Sequence, residues 1–225
     1  MGADMKYRSI AIDGPAGAGK STVAKKLAEK LNYVYIDTGA MYRATTYKAI
    51  SLQTDLDNPY AFGFLDYTEF VFKSGELYMD GVNMTVLNRL KEVADNVSKV
   101  SSHIPVRNKL VSLQQEIAKK NNVVMDGRDI GTVVLKDADL KVFMVASVKI
   151  RALRRYEELK SIGMNVTLAE LEEDIKRRDD LDSSREYNPL KQAKDAIVID
   201  TSNISIDEVT DILYNKYKLK LKGES

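Results

Sequence analysis

Gly14-Pro15-Ala16-Gly17-Ala18-Gly19-Lys20-Ser21 constrains this chain more than any other stretch, because it fits G-x-x-x-x-G-K-[ST] where one hydrophobic period gives way to another. Before it, residues 9–12 form a short apolar run with the character of a buried strand. After it, Val23, Ala24, Leu27, Ala28 and Leu31 share one face of a helix over residues 20–31. A strand that enters a helix through such a turn lets successive backbone N–H groups and the helix N-terminus converge on phosphate oxygens. Lys20 then adds a point charge toward the β- and γ-phosphates, and the Ser21 hydroxyl suits Mg2+. The spacing is not G-x-G-x-x-G, so a dinucleotide-binding dehydrogenase is not indicated. A glycine-rich connection without a ligand is the weaker reading in this context.

The rest of the chain continues the alternation expected of a parallel sheet covered by helices. Residues 33–36, Val123-Val124-Met125, residues 140–145 and residues 196–199 read as further strands, which makes five in the core. Helices are expected from 41 to about 52, from 87 to 101 and from 105 to 120, and Pro59 suits the first position of another short one. Thr167-Leu168-Ala169-Glu170 and Ser205-Ile206-Asp207-Glu208 are capping boxes, each opening a helix. One region breaks the pattern: Phe70-Val71-Phe72, Leu77-Tyr78-Met79 and Met84-Thr85 are separated by Ser74-Gly75 and Asp80-Gly81, a hairpin signature. The expected fold is α/β of the P-loop NTPase type: a five-stranded parallel sheet flanked by helices, with a small antiparallel insert and an Arg-rich lid. The core would comprise about residues 1–57, 104–147 and 186–225, the insert about 58–103 and the lid about 148–185.

Three further clusters carry polar chemistry. Asp37-Thr38-Gly39-Ala40-Met41-Tyr42-Arg43 follows the second strand, where a capping Asp with a surface Arg and a ligand-binding edge are equally good readings. Asp126-Gly127-Arg128-Asp129-Ile130-Gly131-Thr132 follows another strand, and two carboxylates flanking an Arg between glycines fit a ligand edge better than a plain loop. Residues 148–185 hold nine Lys or Arg and nine Asp or Glu. The pairs Arg154 with Glu158, Glu173 with Arg177 and Asp174 with Arg178 would make part of this a solvated helical face. Beside a P-loop the better reading is a mobile lid whose arginines follow the charge of a transferring phosphoryl group.

Composition removes several classes. Cysteine is absent and His103 is the single histidine, which excludes disulfide frameworks, Cys or Cys/His zinc sites and Cys nucleophiles. A net charge of +1 disfavours a nucleic-acid binder. The longest apolar run is five residues, Val142 to Ala146, too short to span a membrane. The first nine residues show no apolar h-region, and Lys6 stands where a myristoylation signal needs Ser or Thr. A cytoplasmic, reducing location is expected. A GTPase switch would need N-K-x-D, which Asn108-Lys109-Leu110-Val111 and Asn215-Lys216-Tyr217-Lys218 both fail. A P-loop kinase for a different small molecule would share the loop but not the other strings.

Four strings, taken in order, resemble the bacterial cytidylate kinase family of nucleoside monophosphate kinases: residues 12–22, 37–43, 126–134 and Arg177-Arg178-Asp179-Asp180-Leu181-Asp182-Ser183-Ser184-Arg185. The resemblance implies Mg2+-dependent transfer from ATP to CMP or dCMP, giving ADP and the diphosphate, in pyrimidine nucleotide metabolism. It makes the antiparallel insert part of a monophosphate-binding domain. Carried over by position, it implies that Ser98, Arg107 and Asp129 face the cytosine, that Arg43, Arg128 and Arg178 face the acceptor phosphate, and that Asp182 and Arg185, with Thr38, reach the sugar. Lys20, Arg128, Arg178 and Arg43 would be the catalytic set. Thr22 and Arg154 would join Gly14, Pro15, Ala16, Gly17, Ala18, Gly19, Lys20 and Ser21 in holding ATP, with Mg2+ at Ser21 partly through water. Two positions depart from the family pattern: Thr38 stands where Ser is common, and Lys136 where a Pro often precedes the Asp-Ala pair. No general base is needed, because a monophosphate oxygen is already a nucleophile, and Asp13 or Asp126 would organise Mg2+ and its waters. The expected partners are ATP and CMP or dCMP, with no nucleic acid and no membrane, and the chain is expected to be a monomer.

Overall fold

A computed structural model describes residues 7–161 and 163–223, so residues 1–6, including Lys6, lie outside the described part. The five apolar runs are parallel strands of one sheet: β1 (Ser9–Asp13), β2 (Val34–Asp37), β6 (Val123–Gly127), β7 (Leu140–Val145) and β8 (Ile197–Asp200), in the order β2-β6-β1-β7-β8. The middle residues of β1, β2 and β6 are apolar because helices cover both faces there. On one face α1 (Lys20–Leu31) and α7 (Ile206–Leu221) pack Val23, Leu27, Leu213 and Tyr217 against Ile10, Ile12 and Val142. On the other, Ala11, Ile36 and Met125 meet Val111 and Ile117 of α4 (Ile104–Ala118).

Register decides where the polar strand ends fall. Ile12 and Asp37 both pair with Asp126, and Asp13 pairs with Gly127, so Asp13, Asp37 and Asp126 line one carboxyl edge of the sheet. In an open parallel sheet that edge is where ligands bind.

The insert is a three-stranded antiparallel sheet of β3 (Phe70–Lys73), β4 (Glu76–Met79) and β5 (Val82–Asn83). Ser74-Gly75 and Asp80-Gly81 are its two-residue turns, all four residues lying at positive φ. That backbone matches the strand twist of tight hairpins. Its apolar side joins Met41 and Ala44 of α2 (Thr38–Ser51) and Val97 of α3 (Lys91–Val100) in a second core.

Several boundaries differ from expectation, each for a local reason. α2 starts at Thr38 rather than 41, because the Asp37 carboxylate accepts from Ala40 N at 2.8 Å and caps it. The expected helix over 87–101 is a 3-10 turn (Leu87–Arg89) followed by α3, parted at Leu90 by an extended ψ of 141°. Pro59 sits in a turn, and the short helix falls instead at Gly63–Tyr67. Residues 130–134 coil into a π-helical turn (Ile130–Val134) directly after β6. Both capping boxes form, at Thr167 for α6 (Leu168–Ser183) and at Ser205 for α7. Among the described residues no helix is long and apolar enough to cross a membrane.

Candidate active site

The P-loop leaves β1 at Asp13 and turns at Gly14, φ +146°, where a Cβ would stand 2.0 Å from the carbonyl oxygen of Met144 on β7. Only glycine fits there. Lys20, 5% exposed, opens α1 and folds back so that Nζ donates to Pro15 O at 2.7 Å. The next three carbonyls are held from outside the loop. Arg151 Nη1 donates to Ala16 O at 3.0 Å, Arg154 Nη1 to Gly17 O at 3.4 Å, and Thr201 Oγ1 to Ala18 O at 3.0 Å. Four successive carbonyls are thereby tied to side chains, which fixes the peptide planes a P-loop uses to present N–H groups to phosphate. Arg154 Nη2 also donates to Thr201 O at 2.6 Å, placing this arginine across the rim between the loop and the end of β8. Thr22 lies exposed one residue past Ser21 on α1.

Behind the loop stand the carboxylates of the sheet edge. Asp126 accepts from Ser21 Oγ and from Tyr35 OH, each at 2.8 Å, while Thr38 Oγ1 donates to its carbonyl at 2.7 Å. Burial and the neighbouring Asp37 push the Asp126 carboxyl up. Asp13 accepts from the amides of Ile130 and Gly131, both at 2.7 Å, so its oxygens anchor the π-helical turn. Burial raises it to about 6. Lys20 is pushed down by burial and by Arg128, against the pull of Asp126 and Asp13. Among the described residues no three His, Cys, Asp or Glu converge as a metal cage. Ser21 and Asp126 are nevertheless hard oxygen donors already in contact, and Mg2+ ordinarily takes few protein ligands and keeps its remaining sites for water and phosphate.

Across from Lys20 lies a field of guanidinium groups. Arg43 on α2 donates Nη2 to Asp37 at 2.8 Å, and Arg128 at the end of β6 donates Nε to Asp182 on α6 at 2.8 Å. Arg185 shares the same Asp182. Burial would raise Asp182, yet Arg128 and Arg185 outweigh it and hold the carboxyl below its usual range. Arg178 is different. Burial, then Arg128, bring it down to about 10 despite Asp182, and Arg43 and Arg185 act in the same direction. Its Nε is buried with no partner among the described residues. Four arginines thus meet within one electrostatic neighbourhood, beside the P-loop lysine, with too few carboxylates to neutralise them. Such a field attracts and orients a polyanion.

The third part of the site is an ion pair of Arg107 with Asp129, both nearly inaccessible. Arg107 Nη1 also donates to Ser101 O at 3.0 Å, and Arg185 Nη2 to Ser101 Oγ at 2.9 Å. Burial raises Asp129 in spite of Arg107. Ser98, expected here, is half-buried on α3, and no hydrogen bond joins its side chain to this pair among the described residues. Ser101, one turn further on, makes those contacts and was not singled out in the sequence. Tyr42 was also missed: the Arg107 guanidinium lies 5.4 Å from its ring centroid, and its buried hydroxyl has no partner among the described residues. The side chain of Thr38 sits with the Asp126 group, its proton committed to a backbone carbonyl.

The helical pairs expected over 148–185 are also rearranged. Arg155 pairs with Glu158 and Arg177 with Asp174, each at i,i+3. Arg154 and Arg178 are thereby left to the P-loop and to the arginine field.

The model for the family described as cytidylate kinase matches residues 10–219. A cytidylate kinase of Shouchella clausii (strain KSM-K16) is 49% identical over 215 residues, covering 93% of this chain and 96% of that protein. One of Alkaliphilus oremlandii (strain OhILAs) is 48% identical over 215 residues, covering 95% and 99%. Among solved structures, an uncharacterized protein from Eubacterium ventriosum ATCC 27560 superposes with a TM-score of 0.56 at 15% identity over 94% of this chain and 98% of that one, a likeness of fold alone.

Proposed function

The chain belongs to the cytidylate kinase family and is a phosphotransferase, and on that premise we propose that it transfers the γ-phosphoryl group of ATP to CMP or dCMP, giving ADP and CDP or dCDP. The observation that carries the acceptor assignment is Arg178: a half-buried arginine whose buried Nε has no partner among the described residues, within electrostatic reach of Arg43, Arg128, Arg185 and Lys20. A monophosphate dianion supplies the missing charge and acceptors at that point.

The P-loop amides and Lys20 hold the donor phosphates, and Arg154 lies where the donor's far end leaves the loop. Arg43, Arg128 and Arg178 hold the acceptor phosphate in line. Fixed positive groups aimed at the equatorial oxygens stabilise a loose transition state without reorganising at the moment of transfer. Ser21 and Asp126 would hold Mg2+, which would supply charge neutralisation at the nucleotide phosphates. Asp13, committed to two amides, positions the turn beside Asp129 instead.

Base choice rests on hydrogen-bond sign. Ionised Asp129 only accepts, which matches the exocyclic amino group of cytosine and opposes the carbonyl oxygen of uracil. Arg107 keeps Asp129 in place and supplies a donor for the ring carbonyl, and Ser98 completes the set that faces the base, with Ser101 holding Arg107 and Arg185 beside it. Asp182 and Arg185 border the sugar. Residues 148–185 are taken as a lid and 58–103 as the acceptor-binding insert, in a cytoplasmic monomer whose near-neutral net charge favours small nucleotides over nucleic acid as partners.

A coupled ADP-release assay across AMP, GMP, UMP, CMP and dCMP tests the reading. CMP and dCMP should give the highest kcat/KM, and a preference for UMP or AMP would overturn it.

A further inference from the structure

One buried guanidinium joins the two halves of the site. Arg151, in the first turn of α5 (Val148–Ser161), is 4% exposed. Its Nε donates to Ala146 O, just past β7, at 2.9 Å, and its Nη1 donates to Ala16 O of the P-loop at 3.0 Å. Nη1 and Nη2 together grip the carboxylate of Asp179 on α6, at 3.1 and 2.6 Å. Most of the donors an arginine carries are therefore spent on the protein itself. The loop also packs on the stem of this side chain, since a Cβ on Gly17 would come 3.1 Å from the Arg151 Cβ.

Asp179 is placed to pass on what it feels. It follows Arg178 directly and precedes, by one helical turn, Asp182, the residue that holds Arg128 and Arg185. α6 behaves as one body: its N-terminus is closed by the Thr167–Glu170 capping box, and Leu171 and Ile175 pack on Ala152 and Leu159 of α5. A bidentate Arg–carboxylate fork is short-ranged and directional, so a shift of the Ala16 peptide must either carry the guanidinium and Asp179 with it or break buried charged bonds.

We propose that Arg151 and Asp179 are positioning residues that couple the two nucleotide sites, so that a nucleotide seated on the P-loop sets α6 and thereby tightens the acceptor site. The proposal rests on the reading of the chain as a kinase with separate donor and acceptor nucleotides. By linkage, the acceptor must tighten the donor site by the same factor. Direct contact of Arg151 with donor phosphate is the competing role, and it predicts that Asp179 is dispensable for coupling.

The test is the Kd of CMP by isothermal titration, alone and with saturating AMP-PNP and Mg2+, for wild type, Asp179→Asn and Arg151→Lys. Wild type should bind CMP about fivefold or more tightly with AMP-PNP present. In both variants that ratio should fall to within about twofold of unity, while CMP alone still binds within about threefold of wild type. A purely structural role would weaken both Kd values together and leave the ratio standing. A wild-type ratio of one, a ratio retained in either folded variant, or equal weakening of both Kd values would overturn the coupling. If Asp179→Asn loses its cooperative thermal transition, Asp179→Glu, which keeps the charge but displaces the bidentate fork, takes its place, because Arg151→Lys alone does not separate coupling from direct phosphate contact. If the ADP-release assay selects another monophosphate, the same ratio is measured with that one, so failure of the acceptor assignment and failure of the coupling are told apart.

Discussion

The two halves of the site are built by different means. The donor half is one contiguous loop whose working groups are backbone, held in shape by Gly14 and by side chains that occupy the carbonyls of Pro15, Ala16, Gly17 and Ala18. The proposed acceptor half is assembled from side chains on α2, on the α3–α4 connection and α4, at the end of β6, and on and just beyond α6, with more arginines than carboxylates. Backbone amides recognise phosphate but carry little information about what else is attached to it. Side chains converging from several elements discriminate, because replacing one donor or acceptor reverses the sign of a contact. The donor loop should therefore set rate for every acceptor, and the arginine and base residues should set which acceptor is used.

Three substitutions bear on that division. The largest effect is expected at the donor side: Lys20→Ala should lower kcat by about 10²-fold or more, since it removes a charge aimed at phosphates in a water-poor site. The loss should be of similar size for CMP and for the poorer acceptors. Circular dichroism should show a folded protein, as Ala is the best residue at that helical position. Near-normal turnover, or a loss confined to one acceptor, would break the division.

Next comes Asp13, which ties the sheet edge to the turn beside Asp129. Its carboxyl is raised to about 6 by burial, so between the ordinary value and pH 6 the native state holds a proton that the unfolded chain has released. Its contribution is therefore most favourable at low pH and is lost as pH rises through that window. Urea unfolding of wild type and Asp13→Asn from pH 4 to 7 should show wild type losing ~2 kcal/mol relative to the variant. A difference that is flat or grows with pH would contradict the burial argument.

The smallest effect in free energy is the most informative about selectivity. Asp129→Ala is a poor probe, because it strands buried Arg107, at a cost of about 3–5 kcal/mol. Asp129→Asn keeps an oxygen for Arg107 and offers an N–H that suits uracil better than cytosine. The CMP/UMP ratio of kcat/KM should narrow by about tenfold, roughly 1.4 kcal/mol, with little change in the ATP dependence. An unchanged ratio would remove Asp129 from base recognition.

Most of the architecture was legible because its signals are local. Runs such as Ile10-Ala11-Ile12 and Val123-Val124-Met125 are strands since burial on both faces excludes polar residues, and the hairpin turns announce themselves as Ser74-Gly75 and Asp80-Gly81. The capping boxes at Thr167 and Ser205 stood where their Glu partners required. Misplaced boundaries had less local causes. The early start of α2 depends on a cap by Asp37 that also serves Arg43, and the π-helical turn exists because Asp13, from a different strand, gathers the amides of Ile130 and Gly131. Ser98 and Ser101 are one turn apart at the end of the same helix, and their spacing alone does not tell which one meets Arg107 and Arg185.

By itself, then, the amino-acid sequence determined the phosphate-binding loop, the number of core strands and the presence of the antiparallel insert, because each depends on the backbone preferences and hydrophobic period of a few consecutive residues. Only the tertiary structure decided which arginines of 148–185 face inward. Arg151, Arg154, Arg155, Arg177 and Arg178 look alike along the chain, and a guanidinium is equally at home in water or in a buried fork. Arg155 and Arg177 pair on the surface with Glu158 and Asp174, whereas Arg151 locks the P-loop to Asp179 and Arg178 joins the neighbourhood of Arg43, Arg128 and Arg185. That choice is made by the packing of α5 and α6 against the loop, through contacts between residues more than a hundred positions apart, and no local pattern encodes it.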